Sequence, residues 1–259
     1  MHAEELRGFL ASDLCRAQAV LADLDGCLIA GDRVLPDVPA LVACCGERLW
    51  IVSNNSTDTA ASLSARLAAM GLTVPPARIL LAGEQTLHRI AAERPGARLA
   101  LYADRPILAL AQGLGLRPDR QRPDLAVLAR DTGFGFADLA ELMAHLHHGL
   151  PLWLSNADAS HPGPDGTPRP ETGALFAGLG AAFPDLRPQS LAKPAPDLLR
   201  LALKRAGVAA TQAVFLGDTV ATDGAAALAA GVRFVLLARP DAGAAGHAEP
   251  QAGGGGMAC

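Results

Sequence analysis

The sequence predicts a doubly wound α/β fold, a parallel sheet with helices on its faces and a second α/β unit inserted into it. Three observations predict this. Eight short runs are near-continuous in apolar residues rather than alternating, the pattern of strands buried on both faces. Helical patterns bounded by glycine or proline alternate with them, as in repeated βα units. Acids follow several runs directly, at the sheet edge where open α/β folds bind ligands.

Taken in order, the runs are Ala19–Asp25, Leu49–Asn54, Ile79–Ala82, Leu99–Ala103, Leu125–Ala129, Leu152–Asn156, Ala213–Asp218 and Phe234–Ala238. Helices are expected over Thr57–Met70, stopped by Gly71, over Glu84–Arg94 before Pro95-Gly96, and over Ala137–His148 before Gly149. A fourth, Pro196–Ala206, has proline in its first turn and Gly207 at its end. Residues 241–259 are Gly- and Ala-rich and are expected to form a flexible tail.

Composition narrows the function. The 259 residues are 50% hydrophobic and 19% charged, which excludes a disordered chain. A net charge of −4 argues against a nucleic-acid binder, and no apolar run is long enough to span a membrane. Residues 1–14, with Glu4, Glu5 and Asp13, do not read as a signal peptide. The five cysteines (Cys15, Cys27, Cys44, Cys45, Cys259) include no Cys-x-x-Cys pair, so reduced thiols and a cytoplasmic location are expected.

Four stretches carry chemistry. In Asp23-Leu24-Asp25-Gly26, period two sends both carboxylates to one side of a strand end, where a hard cation would satisfy them. In Ser53-Asn54-Asn55-Ser56, small polar groups at a strand-to-helix turn serve either to hold a phosphate or to cap the helix, with Ser56, Thr57 and Asp58 as the capping candidates. Lys193, one of two lysines, precedes a helix, where the dipole disfavours a cation unless it faces an anion; the alternative is a solvated lysine. In Gly217-Asp218-x-x-x-Thr222-Asp223, Asp218 is a candidate metal ligand, and Asp223 either binds the metal through water or caps a helix.

Together, in this order, the four stretches resemble the signature motifs of the haloacid dehalogenase superfamily over roughly residues 18–238. The resemblance implies that Asp23 is a nucleophile forming an aspartyl-phosphate and Asp25 the general acid and base. It implies that Ser53, Asn54 and Lys193 bind phosphate, and that Mg²⁺ is held by Asp23, the Asp25 carbonyl, Asp218 and Asp223. An acid two residues after the nucleophile points to a phosphatase or phosphomutase rather than a dehalogenase. Cys27 stands where relatives usually carry threonine or valine, and the Gly-rich end replaces their usual threonine-glycine stretch and helix.

Spacing locates the insert. Asp25 and Ser53 are separated by 27 residues, too few for a lid, whereas Ser56 and Lys193 are separated by 136. The expected division is a catalytic core of 1–78 and 188–240 with a C2-type cap over 79–187. In the cap, Asn156, Asp158 and Pro170-Glu171-Thr172-Gly173 resemble the NagD-like group, subfamily IIA, whose members hydrolyse small phosphate esters. Asn156 and Asp158 are therefore candidates to face the entrance. One of Arg105, Arg130 and Arg169 is a candidate for binding a carboxylate or second phosphate of the substrate, and His161 either reaches substrate or is exposed. His145, His147 and His148 read as a solvated helix end, and Trp153 as core. The function expected is a Mg²⁺-dependent phosphomonoesterase acting on a small metabolite such as phosphoglycolate, a sugar phosphate, a nucleotide or pyridoxal phosphate. The alternatives are a phosphotransferase or mutase, or a non-catalytic regulator. The expected partners are the ester substrate and a second copy bound through the cap.

Overall fold

The computed structural model describes Leu14 and residues 16–162 and 167–237. The N-terminal segment and the tail 241–259 for which expectations were stated lie outside these residues.

The chain enters through β1 (Ala19–Ala22), a short antiparallel pair β2 (Ile29–Ala30) and β3 (Arg33–Val34), and α1 (Val38–Cys45). It continues through β4 (Leu49–Ser53), α2 (Ala60–Ala69) and β5 (Ile79–Leu81). There follow α3 (Ala82–Glu93), β6 (Arg98–Tyr102), α4 (Arg105–Gly113), β7 (Arg117–Pro118), β8 (Leu125–Leu128), α5 (Phe136–His147) and β9 (Leu152–Leu154). A hairpin of β10 (Ser160–Pro162) and β11 (Pro168–Pro170) precedes α6 (Thr172–Ala182). The chain closes with α7 (Asp197–Ala206), β12 (Ala213–Gly217), α8 (Ala225–Ala230) and β13 (Arg233–Leu236).

Two parallel sheets result. The first has the order β13-β12-β1-β4-β5, the second β7-β6-β8-β9. Alternate residues of each strand enter opposite clusters. Val20, Ala22, Ile51 and Ile79 pack with Leu63 and Leu67 of α2, whereas Leu21, Val52, Leu80 and Phe215 pack with Leu198 and Leu199 of α7. Both faces are covered, which is why the strands read as unbroken apolar runs. The second sheet repeats the arrangement, with Trp153 in its core as expected.

Both expected boundaries of the insert move. Ile79–Leu81 belongs to the first sheet, paired in parallel with β4 through Ile51↔Ile79, Val52↔Leu80 and Ser53↔Leu81. The crossover into the second unit is α3, whose Leu87 and Ile90 pack with Leu99 and Val127. At the other end Gln189 still lines β9, accepting from Leu154 N at 2.8 Å and donating to Leu152 O at 2.9 Å. A three-residue apolar strand carries no mark of which sheet it will join.

Helix α2 begins later than residue 57. The Asn55 side-chain oxygen takes the N–H groups of Thr57 (2.9 Å) and Asp58 (2.8 Å), holding them in an Asx turn. The cap is Thr59, which exchanges bonds with Ser62, so the expected caps Ser56, Thr57 and Asp58 are set aside. Helix α7 ends where expected, at Gly207, in the left-handed region at φ 66°.

Candidate active site

Strands β1, β4 and β12 are neighbours, so their C-terminal ends form one edge. Asp23 leaves β1 there, its N–H still bonded to Leu216 O at 2.8 Å. The chain then turns at Gly26, with φ 74°. A Cβ at Gly26 would overlap the Asp218 carboxylate, so glycine lets the first and fourth motifs meet. Gly217 plays the same part for Asp223, whose side chain fills the space a Cβ would take.

Lys193 is buried and not a solvated surface residue. Its Nζ lies 2.6 Å from Asp23 Oδ1 and 2.7 Å from Asp223 Oδ1. Asn54 pins the same residue by its backbone: the Asn54 side chain accepts from Lys193 N at 2.8 Å and donates to Lys193 O at 3.0 Å. Its amide also donates to Asp158 at 3.1 Å. The Asn54 side chain is thus spent on holding Lys193 and the insert loop, a part that motif reading did not separate from phosphate binding. Asp223, 1% exposed, also accepts from Thr219 N at 3.2 Å.

Ligand atoms of Asp23, Asp218 and Asp223 lie within 4.8 Å of one another. Asp23 and Asp223 share one ammonium, with Asp218 beside them. Burial works against the Lys193 charge, but Asp23 and Asp223 outweigh it and hold its pKa above the ordinary value. Burial pushes Asp23 up to about 8, opposed by Lys193 and helped by Asp223 and Asp218. Burial, then Asp223, also raises Asp218. A surplus of buried carboxylate oxygens around one cation is the donor set of a hard divalent metal, so the residues fit Mg²⁺.

A cavity of about 330 Å³ opens above this floor. Asp25 and Ser53 line it from the core, and Asn156, Asp158, His161 and Glu171 from the insert. Burial raises the Asp25 carboxyl, with Arg66 and then His161 opposing. Ser53 Oγ accepts from Asn55 N at 3.1 Å, which leaves its hydroxyl hydrogen to donate elsewhere. Both cap candidates reach the site: Asn156 accepts from Asp158 N at 2.8 Å and donates to Glu171 at 3.2 Å. Of the three arginines, Arg130 approaches the pocket wall, its Nε 3.5 Å from Glu171 Oε1. His161 Nδ1 lies 2.7 Å from the same oxygen. Burial raises the Glu171 carboxyl, against the pull of Arg130 and His161. Glu171 and Thr172, which bonds to Ser56 at 3.3 Å, were quoted in the insert motif but given no role. The available signal was an acid at a helix start beside two flagged polar residues. Another cavity, of about 620 Å³ and lined by Pro76, Glu84, His88, Pro106 and Arg205, contains none of the motif residues.

The glycine of the insert motif has a packing reason. A Cβ at Gly173 would overlap the carbonyl oxygen of Ala157 and come within 2.6 Å of Asp158 O, and Gly173 N donates to Asp158 O at 2.9 Å. Gly173→Ala is expected to cost about 1–3 kcal/mol by forcing α6 from the Asn156–Asp158 loop. Thermal melting checks the stability and phosphate release the site.

A family model, haloacid dehalogenase-like hydrolase, matches residues 17–231. Human chronophin is 31% identical over 240 residues, covering 85% of this chain and 81% of its own. The magnesium complex of glycerol phosphate phosphatase from Mycobacterium tuberculosis superposes with a TM-score of 0.79 at 27% identity, covering 87% of this chain and 69% of that one. A p-nitrophenyl phosphatase from Archaeoglobus fulgidus gives a TM-score of 0.77 at 26% identity, covering 85% of both. The family match, the parallel core and the meeting of the motifs at one sheet edge agree: the chain belongs to the haloacid dehalogenase-like hydrolases.

Proposed function

We propose that this chain is a Mg²⁺-dependent phosphomonoesterase that hydrolyses a small phosphorylated metabolite through an aspartyl-phosphate on Asp23. The observation that carries this is the buried Lys193 ammonium bridging Asp23 and Asp223 beneath a cavity that Asp25 and Ser53 line.

Each residue has a task. The free Asp23 oxygen attacks phosphorus as the P–O bond to the leaving alcohol breaks. Asp25, whose carboxyl burial raises, holds the proton that the departing alkoxide takes. It then accepts a proton from water as that water attacks phosphorus and the bond to Asp23 breaks. Ser53 donates to a phosphoryl oxygen, and Lys193 balances charge between Asp23 and the phosphoryl group. Asn54 acts through Lys193, whose backbone it fixes. Asp23, Asp218 and Asp223, with the Asp25 carbonyl that the family motif implies, would hold Mg²⁺, which would supply the charge neutralisation that lets a carboxylate approach a phosphate. The insert, joined to the core through Asn54–Asp158 and Ser56–Thr172, serves as a cap that shields the site from water. No helix among the described residues is long and apolar enough to cross a membrane. Self-association of two copies through the insert belongs to the same reading, and sedimentation of the full chain tests it.

Phosphate release from p-nitrophenyl phosphate with Mg²⁺ tests the reaction. EDTA is expected to abolish release and excess Mg²⁺ to restore it. Undiminished release in EDTA would contradict the metal assignment.

A further inference from the structure

The insert wall of the pocket holds a carboxylate that the proposed chemistry does not use. Glu171 is 13% exposed at its side chain, and its Oε1 faces His161 Nδ1 at 2.7 Å and Arg130 Nε at 3.5 Å. Its Oε2 accepts from Asn156. A carboxylate that an arginine and a histidine face at ion-pair range and that an amide hydrogen-bonds is placed much as a substrate's own carboxylate would be. Here the protein supplies that anion itself. Among the described residues, the other acid on this wall is Asp158, whose carboxylate takes the Asn54 amide. Lys193, the pocket's lysine, is already shared between Asp23 and Asp223.

The position matters because the leaving group departs on this side. Asp25, the proposed proton donor to the leaving group, lines the same pocket as His161, Glu171, Asn156 and Asp158. A leaving group extending from Asp25 therefore meets His161, Glu171, Asn156 and Asp158. These offer two carboxylates and an amide, which suit hydroxyl donors, while Arg130 and Lys193 already face carboxylates of the protein.

We infer that Glu171 is a specificity-determining residue: its carboxylate occupies Arg130 and His161, so the site favours phosphate esters of neutral polyhydroxy alcohols over esters whose leaving group carries a second negative charge. The inference rests on the phosphomonoesterase reading and narrows it. A like charge opposite a half-buried carboxylate is disfavoured, and discrimination of this kind is built as much from repulsion as from attraction.

The test uses two esters on one three-carbon skeleton, glycerol 3-phosphate and 3-phosphoglycerate, which differ in a carbinol against a carboxylate. The full chain with Mg²⁺ is expected to show kcat/KM about tenfold or more in favour of glycerol 3-phosphate. Glu171→Gln keeps the size and an acceptor for Asn156 but removes the charge. It is expected to raise kcat/KM for 3-phosphoglycerate, a gain that structural damage would not produce. Comparable or reversed preference in the wild type overturns the inference while leaving the phosphatase reading intact. So does a Glu171→Gln variant that loses activity equally on both esters. If that variant does not fold, the wild-type ratio decides alone. Failure to hydrolyse either ester or p-nitrophenyl phosphate overturns the inference and the reading beneath it.

Discussion

Asp23→Asn is expected to lower phosphate release by about 10⁴-fold or more, because it removes the attacking oxygen itself rather than a group that assists it. The fold should survive. Lys193 keeps its bond to Asp223 at 2.7 Å, and β1 keeps its ladder to β12. The metal-free variant should also lose a pH dependence of stability. Asp23 is raised by burial, from 3.8 to about 8, so the folded state binds its proton more tightly than the unfolded chain does. Stability from this group is therefore present below the unfolded value and is lost as pH rises through about 8. Metal-free wild type should weaken across that window, and Asp23→Asn should not show this part of the loss. Melting curves in EDTA at several pH values measure it. Release retained at wild-type rate in Asp23→Asn would remove the nucleophile assignment.

Lys193→Met is the second large effect. The substitution keeps much of the chain's length but removes the ammonium from among Asp23, Asp223 and Asp218. Turnover is expected to fall about 10²–10³-fold, the range seen when one fixed electrostatic donor is lost. Removing one partner of a buried charge pair leaves the others uncompensated, at a cost of about 3–5 kcal/mol. The metal-free variant should therefore melt well below wild type, and Mg²⁺ should recover part of the difference. Equal melting temperatures in EDTA would show that the lysine does not hold the acids together.

The strands were legible because both faces of each sheet are covered. Leu49–Ser53 and Ala213–Gly217 lie within the apolar runs that mark them. Asp23 and Asp218 were legible because each ends such a run, and Asp25 and Asp223 because they follow at motif spacing. What escaped is non-local. Asn54 and Lys193 are 139 residues apart, and nothing near either says that the amide of one clamps the backbone of the other. The bond from Asn156 to Glu171 spans a hairpin, and His161 was read without the acid that holds it. The start of α2 was misplaced because the Asn55 side chain takes the N–H groups of Thr57 and Asp58 into a turn, and the helix is capped only at Thr59. Ile79–Leu81 was assigned to the insert because its apolar character suits either sheet, and only its register with β4 decides.

The central claim is a covalent phosphoryl intermediate on Asp23. Its most direct test is to quench the enzyme during turnover of p-nitrophenyl phosphate with Mg²⁺, reduce with borohydride, and map the protein by mass spectrometry. An acyl phosphate is reduced to the alcohol, so homoserine is expected at position 23 and should depend on substrate and Mg²⁺. Turnover with position 23 unmodified, or with homoserine at another aspartate, would contradict the account.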